Sequence, residues 1–594
     1  MHLSKVSSTV AFGLLSFWGV VPALDVTKSQ YDLACTGANT SETILTPANV
    51  DTANFGKLFA KSVDGNVYAQ PLYLQNFPIA GGVHNVLIVC TENNSVYAFN
   101  ADSAAADTFW HRKLPTPQTI SCVNLQPTVG ITATPVIDRA FGAIFVQAAT
   151  EESSVYYQKL YALNLTNGTD MIAPVTIVDS VAGTGAGAVN GKVGYNALYN
   201  FCRPGLLLVN NRIYIGSGSH CDANTYHGWL FAFSESTLTL SSTFNTTPNG
   251  SEGAIWQMGG GLTSDSANVF CVVGNGTAGS AGEYGLSVVK LDSLLNPLSY
   301  FTAYNNASLN TNDYDLASSC LLIPGTSLCA ACGKGGSLYL MKKDSLGGFN
   351  ASGDSIVQRI DNATPTEPGG GDAVGVFWNN TLYMWAGSDV LKAWTFNGTT
   401  FNTTSQSSGS PKQTNSAGAI TVSANGDSSG IVWGTNVNNH LYAYNAAKVS
   451  TLLWSSGQAA NKRDTLGSPV LKFARPMVVN GKVYVPTTNS VVVYGLLHPA
   501  TTATIGRGEP AVGVPLVGSL RLERRSLSLA FSRPGNYDIV ITDMTGRIVV
   551  KAQGVTSGGL ERISLTGAGL QPGAYTASIR VGQQQMTIQA IMAQ

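Results

Sequence analysis

A short strand of aromatic and aliphatic residues recurs about eight times along the chain, and this repeat constrains the fold more than any other feature. The copies follow one another at intervals of roughly 50 to 70 residues, the spacing of a four-stranded β-unit. They occupy residues 96–99, 160–163, 230–233, 286–289, 338–340, 391–394, 441–444 and 491–494. One such unit cannot bury both faces of its sheet, so the copies must stack, and stacking into a closed ring removes the exposed edges. The repeat therefore predicts a β-propeller of eight blades.

The composition supports an all-β fold. Charged residues make up only 11% of the chain, and 64 glycines favour short strands joined by tight turns. The net charge of −1 gives no basic field for phosphate backbones, so nucleic acid is not an expected partner. We expect the ring to close by pairing of its last strand, residues 490–497, with a strand that precedes Ala98.

The chain begins with the features of a signal peptide. Lys5 precedes an apolar run over residues 10–21, and Val21-Pro22-Ala23 predicts cleavage after Ala23. No later segment reaches the roughly 20 apolar residues of a transmembrane span, so we expect a protein that is secreted or held on the outer cell surface. The predicted domains are a signal peptide (1–23), a propeller (24–498), a linker (499–518) and a small C-terminal β-sandwich (519–594).

The repeats resemble a known group. In residues 95–114, Tyr97, Ala98, Asp102 and Trp110 take the places of a Tyr-Ala-Leu-Asp-type strand that leads through a turn to a Trp docked between blades. Residues 440–454 are a second match. This pattern is similar to the pyrroloquinoline-quinone-like (PQQ-like) repeat of the quinoprotein alcohol dehydrogenases. The resemblance covers roughly residues 45–498 and implies their β-propeller fold.

The C-terminal region has its own strand pattern. Residues 537–541 alternate polar and apolar side chains, a turn at 544–547 reverses the chain, and a second turn at 571–575 precedes a strand. The two turns resemble those of the sorting domain of the type IX secretion pathway, an Ig-like β-sandwich. The matching residues are Asp543, Gly546, Arg547, Leu570, Gly573 and Tyr575. The resemblance implies a Gram-negative source and the secretion machinery as a partner. Sequons such as that at Asn167 are interpreted as chance products of an Asn- and Thr-rich surface.

Five residues are candidates for ligand binding. His220, Asp222 and His227 lie within eight positions of one loop and offer lone pairs, but their spacing matches no metal motif, and polar residues of a turn are the favoured interpretation. Arg203 and Lys334 are expected to face the central channel, where propellers commonly bind ligands. We predict no metal site.

Nine cysteines follow the predicted cleavage site, and an exported protein meets an oxidising environment. We predict that Cys202 pairs with Cys221, because the two strands of the hairpin between them run in opposite directions and bring both cysteines to the same end of the hairpin. Cys320 and Cys329 face each other across a turn, where a second bridge is possible.

The favoured function is a non-catalytic binding or scaffolding module for a small molecule, carbohydrate, peptide or protein, with no cofactor assigned. The alternative is a PQQ-dependent quinoprotein oxidoreductase acting on an alcohol or sugar, with PQQ and calcium as cofactors. Its relatives hold the quinone between a Trp and a disulfide of adjacent cysteines, and no two cysteines here are adjacent. The sequence identifies no catalytic residue, and a hydrolase or lyase also stays open.

Overall fold

The computed structural model describes residues 24–120, 125, 127–223, 225–366, 374–409, 411–413, 419–436 and 438–497, together with the C-terminal strands and Arg547. The chain forms two compact units, Met1–Leu497 and His498–Gln594. The predicted signal peptide, residues 499–516 of the predicted linker, Gly546 and Leu570 lie outside the described residues. None of the helices in the described part of the chain is long and apolar enough to cross a bilayer.

The first unit is built almost wholly of antiparallel β-sheet. Its described residues form one two-stranded sheet and eight sheets of four or five strands, and we number these eight in the order of their third strands. Sheet 1 comprises Leu72–Ile79, Gly82–Cys90, Ser95–Asn100 and Thr108–Lys113; sheet 2, Val136–Asp138, Ala143–Glu152, Val155–Asn164 and Asp170–Thr176; sheet 3, Leu207–Val209 with Asn200–Phe201, Arg212–Ser219, Trp229–Ser234 and Leu240–Asn245; sheet 4, Thr263–Ser264, Val269–Val273, Ser287–Leu291 and Pro297–Thr302.

The remaining sheets repeat this plan. Sheet 5 comprises Leu321–Leu322, Leu328–Cys332, Leu338–Lys342 and Gln358–Ile360; sheet 6, Val376–Trp378, Thr381–Met384, Lys392–Thr395 and Gln406–Ser407; sheet 7, Ile420–Asn425, Ser428–Asn436, His440–Asn445 and Leu452–Ser455, with Ala38–Asn39 added in parallel; sheet 8, Met477–Val479, Lys482–Pro486, Ser490–Leu496 and Phe55–Ser62. The other elements are the hairpin strands Ser180–Ala182 and Lys192–Gly194, the helix Asn306–Thr311, and the 3₁₀ turns Gln257–Gly259 and Ala460–Lys462.

The recurrent strand predicted from the sequence is confirmed. Each of its eight copies falls on the third strand of a different sheet, although the observed strands begin one residue after Leu286 and Leu391. The turn at Asn480-Gly481 shows why the repeated unit can be recognised from the sequence. Both residues have positive φ (52° and 73°), which joins the first two strands of sheet 8 by a two-residue hairpin.

Tryptophans from the fourth strands tie neighbouring sheets together. Trp110 of sheet 1 donates from Nε1 to the Leu165 carbonyl beside sheet 2 at 2.9 Å. Trp454 of sheet 7 packs edge-on against Phe55 of sheet 8, with ring centroids 4.9 Å apart. These contacts confirm the docking role implied by the repeat.

The predicted pairing of the last strand of the first unit with a strand that precedes Ala98 is confirmed. Phe55–Ser62, from the N-terminal region, pairs antiparallel with Ser490–Leu496 and forms the fourth strand of sheet 8. The two ends of the first unit are therefore joined in one sheet, and the edge that the third strand would otherwise expose is covered.

A feature that the sequence analysis missed is a segment that hydrogen-bonds to nearly every sheet. Residues 24–39, here called the N-terminal plug, begin with two backbone bonds between Val26 and Tyr73 of sheet 1, at 2.8 and 3.0 Å. The Tyr31 hydroxyl accepts from the Val478 N–H of sheet 8 at 2.7 Å. Plug carbonyls accept bonds from the first strands of sheets 2, 4, 5, 6 and 7, namely Thr27 from Ile137, Leu33 from Ser264, Ala34 from Leu322, Thr36 from Phe377 and Gly37 from Val422. The first strands of seven sheets thus surround the plug, which fills the channel between them.

The second unit contains two antiparallel sheets. One comprises Val517–Glu523, Ser526–Phe531 and Gly559–Ser564; the other, Ile548–Thr556, Gly535–Asp543, Gly573–Val581 and Gln584–Met592. Arg547 donates from Nε to Asp543 Oδ2 at 3.0 Å, which closes the first predicted turn. The second turn is corrected, since Gly573 and Tyr575 lie within a strand paired on both sides.

The predicted Cys202–Cys221 disulfide is wrong, since Cys221 is disulfide-bonded but Cys202 is a free thiol. Strand register explains the error, because Asn200 pairs with Ser219 and the two cysteines are therefore offset by four positions. Cys202 is instead buried in the apolar core of sheet 3.

Cys320 and Cys329 are also free, so the second predicted bridge is not formed. Their thiols hydrogen-bond to each other, and this contact, together with burial, raises the pKa of Cys320. The register places Leu322 opposite Cys329, so the two thiols meet on a diagonal of the sheet rather than directly across it.

Candidate functional site

One end of the channel collects polar residues from four sheets. In an antiparallel sheet the loop after the second strand and the loop before the first strand lie at the same end. Both kinds of loop contribute to a group that we call the mouth cluster, which comprises Glu92, Arg203, His220, Trp256, Asn275, Asp315 and Lys334. All seven side chains are buried.

Arg203 lies among aromatic rings. Its guanidinium carbon is 5.0 Å from the ring centroid of Trp256, 5.1 Å from that of Phe201 and 5.4 Å from that of Phe473. Cation–π attraction of this kind strengthens when the cation is shielded from water. Arg203 therefore lies in the loop before the first strand of sheet 3 and is packed within an aromatic cage.

Asp315 forms the acidic centre of the mouth cluster. Lys334 Nζ lies 2.6 Å from Asp315 Oδ2 and 3.3 Å from Asp313, and the Asn275 backbone N–H donates to Asp315 Oδ1 at 2.7 Å. Burial raises the pKa of Asp315, while the ammonium of Lys334 opposes this by favouring the charged form. A buried carboxyl group held by one cation is a common arrangement for proton transfer.

Asn275 carries an orphaned acceptor beside this carboxylate. Its Nδ2 donates to Asp313 Oδ1 at 2.8 Å, but its Oδ1 has no partner among the described residues. Buried polar atoms are rarely left unpaired, and such an atom often marks the place of a ligand, ion or water.

Gly274 keeps Trp256 close to Asp315. A Cβ atom at this position would lie 2.5 Å from Asp315 Oδ1 and 2.7 Å from Trp256 Cδ1. No larger residue fits without moving one of them. The indole ring and the carboxylate therefore both lie against the backbone of Gly274.

The three candidates of the His220 loop do not act as one group. His220 stacks on Phe201 with centroids 4.4 Å apart, and neither ring nitrogen has a partner in the described part of the chain. Burial, with a contribution from Arg203, lowers the pKa of His220 to about 3, so the ring is neutral at physiological pH.

Asp222 and His227 are engaged elsewhere. Asp222 Oδ1 accepts a hydrogen bond from the Tyr226 hydroxyl at 2.8 Å. The ring nitrogens of His227 contact Thr247 Oγ1 at 2.9 Å and the Ala186 carbonyl at 2.8 Å. No three His, Cys, Asp or Glu side chains of the described residues converge into a metal site.

Glu92 is a further candidate residue that the sequence analysis missed. Its Oε2 accepts the Gly130 N–H at 2.6 Å, and its Oε1 is without a partner within the described ranges. Burial raises the pKa of Glu92 to about 7 despite the opposing influence of Arg203. One sequence signal could have found the missed residues, because each lies in a loop after a second strand or before a first strand. These residues are Glu92, Trp256, Asn275 and Asp315.

Replacement of Glu92 by Gln is expected to flatten the pH dependence of stability. The folded-state pKa of about 7 lies above the ordinary value of 4.5, so the stability that Glu92 contributes is fully present below pH 4.5 and is lost as the pH rises through 7. Between pH 4.5 and pH 8 the wild type should lose about 3 kcal/mol more free energy of unfolding than Glu92→Gln. Denaturant unfolding across this range measures the difference. Asp427→Asn, which alters an exposed carboxylate, is the control, and parallel curves for wild type and Glu92→Gln would contradict the prediction.

The fold is similar to that of several dehydrogenases. The quinohemoprotein alcohol dehydrogenase from Comamonas testosteroni has 14% identity and a TM-score of 0.54, over 84% of this chain and 82% of that one. The quinohemoprotein alcohol dehydrogenase ADHIIG from Pseudomonas putida HK5 has 13% identity and a TM-score of 0.52, over 84% and 83%. A europium-containing methanol dehydrogenase has 10% identity and a TM-score of 0.55, over 80% and 98%.

These structures support a PQQ-like propeller fold for the chain. At identities of 10–14%, this likeness shows the fold alone. No protein-family model and no curated protein matches the sequence.

Proposed function

We propose that the protein is a quinone-dependent oxidoreductase that oxidises an alcohol or a sugar at the mouth cluster. The observation that carries the proposal is the buried Asp315, held by Lys334 at 2.6 Å and placed beside the orphaned Oδ1 of Asn275 and the indole of Trp256. This set supplies a proton acceptor, a cation and an aromatic surface at one point, in the fold of proteins described as alcohol and methanol dehydrogenases.

The residues present fit a calcium ion and a quinone in part. Asn275 Oδ1 and the carboxylates of Asp313 and Asp315 are oxygen donors of the kind calcium prefers. Trp256 and Arg203 would hold a planar, anionic quinone by stacking and by charge. When bound, such a quinone supplies the two-electron acceptor that the side chains lack.

The chain's own residues would handle the proton. Asp315 takes the proton from the substrate hydroxyl, a role for which burial and a raised pKa suit it. Lys334 then stabilises the charged form of Asp315 between turnovers. The aromatic rings around Arg203 exclude water from the same place.

The second candidate is the non-catalytic binding module. It is supported by the close packing of Arg203 against Trp256. In that case Arg203 and Lys334 bind an anionic group of the ligand, and Asp315 only positions Lys334.

Reconstitution with PQQ and calcium distinguishes the two functions. We expect dye reduction that depends on an alcohol or an aldose and stops when calcium is chelated. Quenching of tryptophan fluorescence by PQQ checks separately that the quinone binds. Bound quinone without dye reduction, over a mixed panel of alcohols and aldoses, would leave the binding module as the function.

The finer architecture belongs to the same proposal. We propose that the eight sheets are the blades of one propeller, supported by the plug that contacts the first strands of seven of them. We propose further that the second unit is an Ig-like sorting domain that engages the secretion machinery and places the protein in the medium or on the outer cell surface. The Asp543–Arg547 turn supports this assignment.

A further inference from the structure

A buried arginine lies beside the N-terminal plug without a carboxylate partner. Arg475 is fully buried and precedes the first strand of sheet 8. Its Nη1 donates to the Ile420 carbonyl, whereas Nε and Nη2 have no partner in the described part of the chain. Burial lowers the pKa of Arg475 to about 10, so the side chain is still a cation at neutral pH.

A second buried cation lies close by. Lys28 Nζ, on the plug, donates to the Ser29 and Asp32 carbonyls at 2.9 and 2.6 Å and lies 3.6 Å from Cys35 Sγ. Cys35 and Tyr31 are the titratable groups whose charge acts on Arg475. Neither Lys28 nor Arg475 forms an ion pair with an acid of the described residues.

Lys28 and Cys35 share their surroundings with a further buried hydroxyl, that of Ser29. The Cβ position of Gly261 lies 3.4 Å from Ser29 Cβ, 3.5 Å from Cys35 Sγ and 3.6 Å from Lys28 Nζ. Ser29 is fully buried, and its Oγ finds no partner within the described ranges. The plug and the segment before sheet 8 therefore hold a guanidinium with two open N–H groups, an ammonium and an unpartnered hydroxyl, all buried, and neither cation is paired with a carboxylate of the described residues.

An uncompensated charge is costly in such a place. Removing a cation from water without a counter-charge carries a penalty of several kcal/mol, which proteins avoid by pairing the charge. Two cations close to one thiol and no carboxylate therefore call for an anion from solution. Arg475 and Lys28 are both buried, which favours an anion of one or a few atoms.

We infer that the channel binds a small monovalent anion, a halide such as chloride, between Arg475 and the Lys28–Cys35 face of the plug. The anion joins the plug to the start of sheet 8, so it stabilises the closed ring. The inference does not depend on the proposed oxidoreductase activity.

Thermal melts at constant ionic strength test the inference. With chloride replacing gluconate, the melting temperature of the full chain should rise by about 1–2 °C for each tenfold increase in chloride above the dissociation constant. Arg475→Met should abolish this dependence. Arg112→Met, which removes a cation from the exposed pair with Asp170, should retain it.

Bromide provides a readout that does not need a variant. Crystals of the wild-type protein grown in bromide should show an anomalous peak beside Arg475, which decides the matter even if Arg475→Met fails to fold. Equal melting temperatures in chloride and gluconate, or a bromide map without that peak, would overturn the inference and leave internal water as the partner of Arg475.

Discussion

Deletion of residues 24–39 is expected to prevent the first unit from folding. The plug forms backbone hydrogen bonds to the first strands of sheets 1, 2, 4, 5, 6 and 7 and a side-chain bond to sheet 8. Each bond is worth about 1 kcal/mol, and the plug also buries Val26, Cys35 and Ala38. The summed free energy of these hydrogen bonds and buried side chains is comparable to the whole stability of a typical domain, about 5–15 kcal/mol. Loss of the cooperative thermal transition in circular dichroism checks the prediction.

Two controls separate the plug from ring closure. The deletion leaves Phe55–Ser62, and hence the closing strand of sheet 8, in the chain. A synthetic peptide of residues 24–41, added in trans, should restore the transition. A shortened chain that melts at the wild-type temperature without the peptide would show that the plug is dispensable. Truncation before Pro476, which removes the other strands of sheet 8, should destabilise the ring in either case.

The repeat could be predicted because its signals are local. A third strand such as Leu441–Tyr444 alternates aromatic and small residues, and Asn480-Gly481 encodes its own hairpin. The plug has no comparable signature. Its contacts are mostly made by backbone carbonyls, which every residue has, so a polar segment such as Lys28–Gln30 looks like any loop in the sequence.

The mouth cluster was only partly predictable for a related reason. Arg203 and Lys334 stand out because charged residues are rare in this chain, and both lie at the channel end. Asp315 and Asn275 look like ordinary turn residues, and only the packing of sheet 4 against sheet 5 brings the Asn275 N–H within 2.7 Å of Asp315 Oδ1. The disulfide prediction failed at Cys202 because the register between the strands Asn200–Phe201 and Arg212–Ser219 decides which residues face each other. That register cannot be deduced from the number of residues between the two cysteines.

Replacement of Asp315 by Asn is expected to have the largest effect on activity. If Asp315 accepts the hydroxyl proton, the isosteric amide keeps the shape of the site but cannot take up a proton, and kcat should fall by about 10²–10⁴-fold. Because burial raises its pKa and only the deprotonated form is a base, wild-type kcat should rise with pH through that pKa, and this limb should vanish in Asp315→Asn. Steady-state dye reduction with PQQ and calcium across the pH range measures both effects.

Asp313→Asn is the matched control for this prediction. Asp313 also contacts Lys334, at 3.3 Å, but its side chain is 58% exposed, so its carboxylate is a weaker candidate for the base. Asp313→Asn should therefore retain the pH limb even if it binds calcium less tightly. The prediction is contradicted if Asp315→Asn binds PQQ, as judged by tryptophan quenching, and keeps the wild-type kcat. In that case Asp315 only positions Lys334, and another group of the mouth cluster takes the proton. Glu92, whose pKa is about 7, is then the next residue to replace.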